Sequence, residues 1–216
     1  MTLQFDKKKH PRVVDHLFPK MPVGVMGAAG GDIPPEVLAR VFQLGKEIAK
    51  RGYVLITGAC PGIPHEAVKG AKTEGGFVVG ISPGLNMEEH VNKYRSPTWG
   101  YDAIIYTGSG LMGREIENIR SCDVVIFAGG RSGTLGEFAI AYDEAKIIGV
   151  LEGSGGITDH LDKVVSYIQK ESGAKIVGSP YPAELLNKLE ALYEERLLPS
   201  YTKLMKTNSP HGEMDI

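Results

Sequence analysis

The chain has 216 residues, of which 42% are apolar, and its 24 basic and 26 acidic side chains leave a formal net charge of −2. This length suits one well-buried domain, and the near-neutral balance argues against wrapping a nucleic acid or lying on an anionic membrane. No apolar run approaches the length of a membrane span, and no signal-peptide segment follows the basic N-terminus. We therefore expect a cytoplasmic protein with a small-molecule partner.

Short apolar runs recur along the chain, and each is followed by a segment with helical periodicity. The runs cover residues 23–28, 53–59, 77–82, 103–108, 124–129, 147–153 and 175–179. They are continuous rather than alternating, which is typical of parallel strands covered on both faces. The sequence thus predicts an α/β fold, a single doubly wound Rossmann-like domain with a mainly parallel sheet of about seven strands and helices on both faces.

The ends of the chain are predicted to lie outside this domain. We assign an N-terminal arm to residues 1–20, the nucleotide-binding domain to 21–200 and a C-terminal tail to 201–216. Inside the domain, residues 83–102 separate two strands without a sustained period and carry the only tryptophan, Trp99. Such a long irregular segment is unusual in a compact domain and predicts a lid or binding loop.

Glycines gather at the carboxyl ends of four predicted strands. The turns read MGAAGGD, ITGACPG, YTGSGLMG and FAGGRSGT, and each opens a helix. In an open parallel sheet, ligands bind beyond these strand ends, and the free N–H groups at a helix start attract an anion. The turns alone explain some of these glycines. The remaining glycines indicate that the backbone approaches a phosphate closely.

Several common site types are disfavoured. The chain lacks the G-x-x-x-x-G-K-[ST] pattern of a triphosphate-binding loop, and its first turn does not match the G-x-G-x-x-G of a dinucleotide enzyme. The second strand ends in Thr57 and Gly58 instead of an acidic residue that would hold a ribose. Ser132 lies on a strand-turn-helix, but a nucleophile elbow requires glycine where Thr134 stands.

Metal, disulfide and cofactor sites are not expected either. No group of cysteine, histidine and carboxylate residues has metal-ligand spacing. The two cysteines, Cys60 and Cys122, are far apart and flank strand ends, so we interpret them as small apolar fillers. That suits a reducing compartment.

The stretch GRSGTLGE, preceded by SCDVVIFAG and by LMGRE, resembles the motifs P-G-G-x-G-T-x-x-E and M-H-x-R-K of the Lonely Guy family. These Rossmann-like proteins are nucleoside 5′-monophosphate phosphoribohydrolases, and the resemblance spans roughly residues 23–153. It implies hydrolysis of an N-glycosidic bond to a free base and ribose 5-phosphate. Because family members pair through helices, it also implies a homodimer or a higher homo-oligomer.

The resemblance also implies roles for individual residues. Glu137 would face the ribose, Arg114 would be the motif arginine, and Gly130, Gly133 and Thr134 would cradle the phosphate. With the glycine turns, the sequence predicts catalytic roles for Glu137 and Arg114 and phosphate or nucleotide contacts from Gly27, Gly30, Gly58, Gly129, Gly130, Arg131, Ser132, Gly133 and Thr134.

Five positions depart from the family motifs. Gly129 stands at the motif proline, and Leu111 and Met112 stand at the motif methionine and histidine. Arg131 stands where the motif has a glycine, and Glu115 replaces the lysine beside the motif arginine, which inverts a charge. The sequence is therefore closer to a less characterised branch of the superfamily, whose relatives include molybdenum-cofactor carriers and DNA-processing protein A. The alternative function is a non-catalytic nucleotide or molybdenum-cofactor binding protein. Nucleic acid binding would need a basic groove, which the net charge does not indicate.

Both candidate catalytic residues also have a purely structural interpretation. Glu137 follows Thr134 at capping-box spacing, so its carboxylate could simply bond back to the helix cap. In the helix LMGREIENIRSCD, the apolar stripe of Met112, Ile116 and Ile119 places Arg114 off the core face, where a surface arginine is the simplest explanation. The sequence leaves both alternatives open.

Overall fold

The structure is a computed structural model that describes residues 20–207. Residues 1–19 of the predicted arm and 208–216 of the predicted tail lie outside the described residues. The strands are β1 (Pro22–Gly27), β2 (Val54–Thr57), β3 (Phe77–Ser82), β4 (Ala103–Tyr106), β5 (Val124–Ala128), β6 (Ile147–Leu151) and β7 (Lys175–Ser179). The α-helices are α1 (Pro35–Lys50), α2 (Ile63–Thr73), α3 (Gly110–Arg120), α4 (Ser132–Asp143), α5 (Leu161–Ile168), α6 (Pro182–Arg196) and α7 (Leu198–Thr207).

The seven strands form one sheet in the order β4-β3-β2-β1-β5-β6-β7, and every neighbouring pair is parallel. This confirms the predicted doubly wound α/β fold. The strand order reverses between β1 and β5, which pair from Val23 with Val124 to Gly27 with Ala128. At such a switch point, the helices that follow the two strands leave on opposite faces and open a crevice beyond the strand ends.

Each face of the sheet carries its own apolar core. Helices α1, α2 and α6 cover one face, and α3, α4 and α5 cover the other. Helix α1 shows how the sequence specifies this arrangement, because Val37, Val41, Leu44 and Ile48 are buried at helical spacing. The central strand β5 is buried along its whole length, as expected for a parallel strand between two helix layers.

The last helix extends past the predicted domain boundary at residue 200. Helix α7 begins at Leu198, and the Tyr201 hydroxyl donates a hydrogen bond of 2.7 Å to the Asp123 carboxylate at the start of β5. The Tyr201 ring also packs edge-on against Tyr193 of α6. The chain therefore remains attached to the domain beyond residue 200, within the region predicted as a tail.

The long segment 83–102 is fixed to the sheet by a buried histidine. His90 lies in a short π-helix (Glu89–Lys93), and its Nε2 donates to the Pro97 carbonyl at 3.0 Å. Its Nδ1 therefore accepts from the Ser82 hydroxyl at 2.9 Å, at the end of β3. The segment therefore packs against the sheet, and the hydrogen bonds of His90 hold its middle in place. In residues 20–207, no helix is long and apolar enough to cross a membrane.

Candidate functional site

The turn between β5 and α4 needs glycine at two successive positions. Gly129 and Gly130 have φ angles of +57° and +91°, in the left-handed region that side chains disfavour. Gly129 N–H donates to the Ser154 hydroxyl at 2.8 Å, and the Gly129 carbonyl accepts from Thr158. A Cβ at Gly130 would overlap the Thr134 side chain. The turn is therefore held in one conformation from both sides.

Helix α4 begins immediately after this turn with a free N-terminus. Arg131 is the N-cap residue, and its side chain makes no capping hydrogen bond. The first intrahelical bond runs from Leu135 N–H to the Arg131 carbonyl at 3.0 Å. The amides of Ser132, Gly133 and Thr134 consequently have no acceptor within the helix, which is the arrangement that binds phosphate groups.

The start of α4 also decides between the two interpretations of Glu137. Thr134 is the third helical residue, not the cap, so the capping box suggested by the sequence is wrong. Glu137 lies in the second turn, where its carboxylate cannot reach the cap backbone. It is 6% exposed and faces the neighbouring helix α3.

Arg114 of α3 is the partner of this carboxylate. Its Nη1 lies 3.6 Å from Glu137 Oε1, and Arg114 is 7% exposed. Gly58, at the end of β2, makes room for the guanidinium, since a Cβ there would overlap Arg114. The Arg114 Nε has no hydrogen-bond partner among the described residues. A buried N–H without an acceptor is costly, so the hydrogen bonds of the Arg114 side chain are incomplete.

Burial raises the pKa of Glu137 to about 7, although Arg114 opposes this rise and Glu115 adds to it. Glu115 itself is half-buried, and burial raises the pKa of its carboxyl against the effect of Arg114. Its carboxylate oxygens lie 3.3 Å from where a Cβ would stand at Gly133 and Gly136, so it rests on the first turns of α4. The site thus combines two carboxylates with one buried guanidinium.

The buried face of α3 differs from the predicted one. Met112 and Ile116 are 81% and 39% exposed, whereas Arg114 and Asn118 are buried with Ile119. The surface-arginine alternative and the predicted apolar stripe are therefore wrong. Arg114 lies beside the Glu137 carboxylate of α4, and the Asn118 amide nitrogen lies 3.0 Å from the sulfur of buried Met26. The buried face of this short helix therefore carries polar side chains, which its apolar periodicity does not indicate.

These elements enclose a pocket of about 460 Å³ beyond the carboxyl ends of β1, β2 and β5. We call it the central pocket. It is lined by Met26, Gly27, Ala28, Ala29, Gly58, Cys60, Pro64, Leu111, Arg114, Glu115, Arg131, Ser132, Gly133, Thr134 and Glu137. Its volume is in the range of small-molecule sites.

The predicted site residues divide between this pocket and its neighbour. Those that line the central pocket are Gly27, Gly58, Arg114, Arg131, Ser132, Gly133, Thr134 and Glu137. Gly30, Gly129 and Gly130 instead line an adjacent cleft of about 500 Å³, together with Arg131. No residue of segment 83–102 lines either cavity as the structure describes them, so the segment does not act as a lid in this conformation.

Cys60 is a pocket residue that the sequence did not reveal. A lone cysteine after a strand is usually a filler, and Cys122 is one, since it is buried with its thiol 3.1 Å from the Asn118 carbonyl. Cys60 is partly exposed and lines the central pocket. The signal that could have found it is its position in the glycine turn ITGACPG. Within residues 20–207, no three metal-ligating side chains are grouped to hold an ion.

The chain belongs to the SLOG cluster4 family, whose sequence profile matches residues 20–185. This agrees with the resemblance to Lonely Guy proteins and confirms the assignment to a poorly characterised branch. An uncharacterized protein from Archaeoglobus fulgidus is 35% identical over 132 residues, which is 61% of this chain and 80% of that protein. Membership in this family supports a nucleotide-related function.

Two solved structures are similar over almost their whole length. The molybdenum cofactor binding protein from Rippkaea orientalis is 31% identical, with a TM-score of 0.65, and the match covers 81% of this chain and 98% of that one. The Moco carrier protein from Chlamydomonas reinhardtii is 28% identical, with a TM-score of 0.67, covering 82% of this chain and 99% of that one. The fold is thus one that other proteins use for small ligands.

Proposed function

We propose that this member of the SLOG cluster4 family binds a nucleotide-like phosphate ester in the central pocket and carries it without cleaving it. The observation that carries the proposal is the free N-terminus of α4, which borders a pocket large enough for a heterocycle. The molybdenum cofactor, like a nucleotide, joins a heterocycle to a phosphate. Molybdenum-cofactor cargo is therefore the leading ligand class.

The phosphate is placed by three amides and one cation. Ser132, Gly133 and Thr134 line the pocket, their N–H groups have no acceptor within the helix, and the positive end of the α4 dipole reinforces their attraction for an anion. Arg131 at the N-cap is exposed and lines both the central pocket and the adjacent cleft, so its guanidinium can close over the phosphate. The rest of the ligand then extends towards Arg114.

The charge of Glu115 favours a carrier function over a hydrolase function. Hydrolysis of an N-glycosidic bond needs an ionised carboxylate to stabilise an oxocarbenium-like state or to activate water. At Glu137 that ionisation is disfavoured by burial first and also by Glu115, which occupies the position of the motif lysine. With the pKa of Glu137 at about 7, about half of the population is ionised at neutral pH, so the departure that favours a carrier is the anion of Glu115 in place of the motif lysine beside Arg114.

The test is to identify what the purified protein retains. Small molecules released by denaturation are analysed by mass spectrometry, and binding of inorganic phosphate and a panel of nucleoside monophosphates is measured by calorimetry. We expect a phosphorylated heterocycle to be retained and recovered intact after prolonged incubation. Sustained release of free base from any monophosphate would contradict the carrier function. Absence of phosphate or nucleotide binding would contradict the proposed site altogether.

A second candidate is a nucleoside 5′-monophosphate phosphoribohydrolase, which would release free base and ribose 5-phosphate. It is favoured by the inward orientation of Glu137 and Arg114, the two residues that the family motifs implicate. In this function Glu137 would act in its ionised form, so turnover should rise as pH increases through about 7. The measurement is free base by chromatography, with Glu137→Gln as the inactive control.

A further inference from the structure

The turn after β6 (residues 153–158) packs directly against the turn before α4 (residues 129–131). It leads into a short 3₁₀ helix (Gly156–His160). Gly156 has a φ of +61°, and a Cβ there would overlap the Gly130 carbonyl oxygen. The two backbones are therefore in contact at a point where only glycine leaves room.

Two buried residues of the turn after β6 bond the whole backbone of Gly129. Ser154 is 4% exposed and Thr158 is 1% exposed. The Ser154 Oγ accepts from the Gly129 N–H at 2.8 Å. The Gly129 carbonyl accepts from the Thr158 hydroxyl and also from the Thr158 N–H at 3.2 Å. Both residues are distant in the chain, 25 and 29 positions after Gly129.

The next carbonyl is held on the same side. The Gly130 carbonyl accepts from the Ile157 N–H at 3.0 Å. In a trans peptide unit, the carbonyl and the following N–H point in opposite directions. The N–H groups of Gly130 and Arg131 therefore point away from the turn after β6. Neither N–H has an acceptor among residues 20–207.

This orientation decides which atoms an anion at the start of α4 would meet. Successive free N–H groups in such a turn form a concavity that attracts anions. Glycine tolerates both signs of φ, so the peptide unit between Gly129 and Gly130 could rotate by half a turn and exchange its N–H with its carbonyl oxygen. A carbonyl oxygen in that place would repel a phosphate. The hydrogen bonds from Ser154 and Thr158 oppose this rotation.

We infer that Ser154 and Thr158 are positioning residues for the phosphate. They hold the turn before α4 with its carbonyls turned back and its N–H groups free, and they act through Gly129. The inference rests on the proposed function and adds the turn after β6 to its site. Neither residue lies in the stretch GRSGTLGE, so the resemblance in sequence does not indicate them.

The test removes each hydroxyl and measures binding of inorganic phosphate by calorimetry. Thr158→Val keeps the shape of the side chain but removes its donor, and Ser154→Ala removes the acceptor for the Gly129 N–H. Each should weaken phosphate binding by about fivefold or more. Thr158→Ser retains the hydroxyl and should bind phosphate within about twofold of the wild type.

Ser179→Ala is the matched control for a general loss of stability. Ser179 is a buried serine at the end of β7, and its Oγ likewise accepts a backbone N–H, from Tyr181 at 3.1 Å. This variant should lower the melting temperature about as much as Ser154→Ala but leave the affinity for phosphate unchanged. Without ligand, amide hydrogen exchange in peptides covering residues 129–134 should be faster in Ser154→Ala and Thr158→Val, and unchanged in Ser179→Ala.

The failures of the two proposals are distinguishable. If the wild type binds phosphate and both Ser154→Ala and Thr158→Val bind it as tightly as Ser179→Ala does, the positioning role is wrong and the phosphate site stands. A Thr158→Ser variant as weak as Thr158→Val would also contradict the role of the hydroxyl. If the wild type binds neither phosphate nor any nucleoside monophosphate, the proposed function is wrong, and the positioning role with it.

Discussion

Arg114 of α3 and Glu137 of α4 face each other across two neighbouring helices on the same face of the sheet, with Nη1 and Oε1 3.6 Å apart and both side chains buried. The separation is longer than a good charge-assisted hydrogen bond, so the pair attracts without completing its hydrogen bonds. A buried, incompletely bonded pair costs folding free energy. Its value to the protein is therefore best sought in ligand binding.

The first prediction concerns stability against pH. Because burial raises the pKa of Glu137 from 4.5 to about 7, the folded chain holds this proton to higher pH than the unfolded chain. Its contribution is fully present below about pH 4.5 and is lost as pH rises through about 7. The free energy of unfolding of the wild type should therefore fall by about 2–3 kcal/mol between about pH 5 and pH 8, and Glu137→Gln should abolish this fall.

Denaturant unfolding of both proteins across this range makes the comparison. The matched control is Glu36→Gln, an exposed carboxylate at the start of α1, whose curve should stay parallel to that of the wild type. A wild-type stability that falls no more steeply than that of Glu137→Gln would contradict the raised pKa.

The second prediction restores the charge of the family motif. Glu115 rests on the first turns of α4 and contributes to the raised pKa of Glu137. In Glu115→Lys, a cation replaces this anion, so the pKa of Glu137 should fall and phosphate should bind more tightly, by about tenfold at low ionic strength. Calorimetric titration with phosphate measures the effect, and added salt should weaken it.

Glu117→Lys is the control for this change. It introduces the same charge on the same helix, but Glu117 accepts a hydrogen bond from Ser109 and does not line the central pocket. Equal gains in the two variants would show that overall charge, not the position of Glu115, sets the affinity for phosphate. If free base is released from a monophosphate by Glu115→Lys alone, the phosphoribohydrolase motif has been restored.

The sheet was predictable from the sequence because parallel strands covered on both faces leave an uninterrupted apolar signal. All seven predicted apolar runs form strands. The observed strand ends differ from the predicted ones by a few residues, as β2 does from the predicted run 53–59. The predicted buried face of α3 was wrong because the apolar signal of this helix is weak. Its eleven residues contain too few turns for a decisive stripe, and its buried face carries Arg114, whose partner Glu137 lies on another helix.

The proposed phosphate end of the site rests on local features, a glycine turn and a helix start, which the sequence shows directly. Cys60 could not be found in that way, because its place in the pocket depends on how the turn after β2 packs against the end of β1. The same holds for Gly30, Gly129 and Gly130, which line the neighbouring cleft rather than the central pocket. Which side of a turn faces a cavity is a tertiary property.

The third prediction tests the expected homodimer. Leu111, Met112 and Ile116 of α3 are exposed on one side of the helix, and Leu111 also borders the central pocket. If two copies pair through this face, Ile116→Glu should give a monomer in light scattering, while Tyr167→Glu, at an exposed position on α5, should not. A wild-type protein that is monomeric at all concentrations would contradict the dimer.

The last prediction concerns the glycine turn itself. Gly130→Ala places a Cβ at a φ of +91° and against Thr134, so it should cost about 1–3 kcal/mol in the free energy of unfolding. The same Cβ displaces the first turn of α4, whose amides are proposed to hold the phosphate. Affinity for inorganic phosphate should therefore fall by about tenfold or more.

Gly30→Ala is the matched control, because a Cβ there meets no atom within 4 Å. It should change the free energy of unfolding by less than about 0.5 kcal/mol and leave phosphate binding intact. Comparing these two variants separates a requirement for the conformation of the turn before α4 from a general requirement for glycine near the strand ends. If Gly130→Ala lost stability but still bound phosphate as tightly as Gly30→Ala, the phosphate would have to lie elsewhere than at the start of α4.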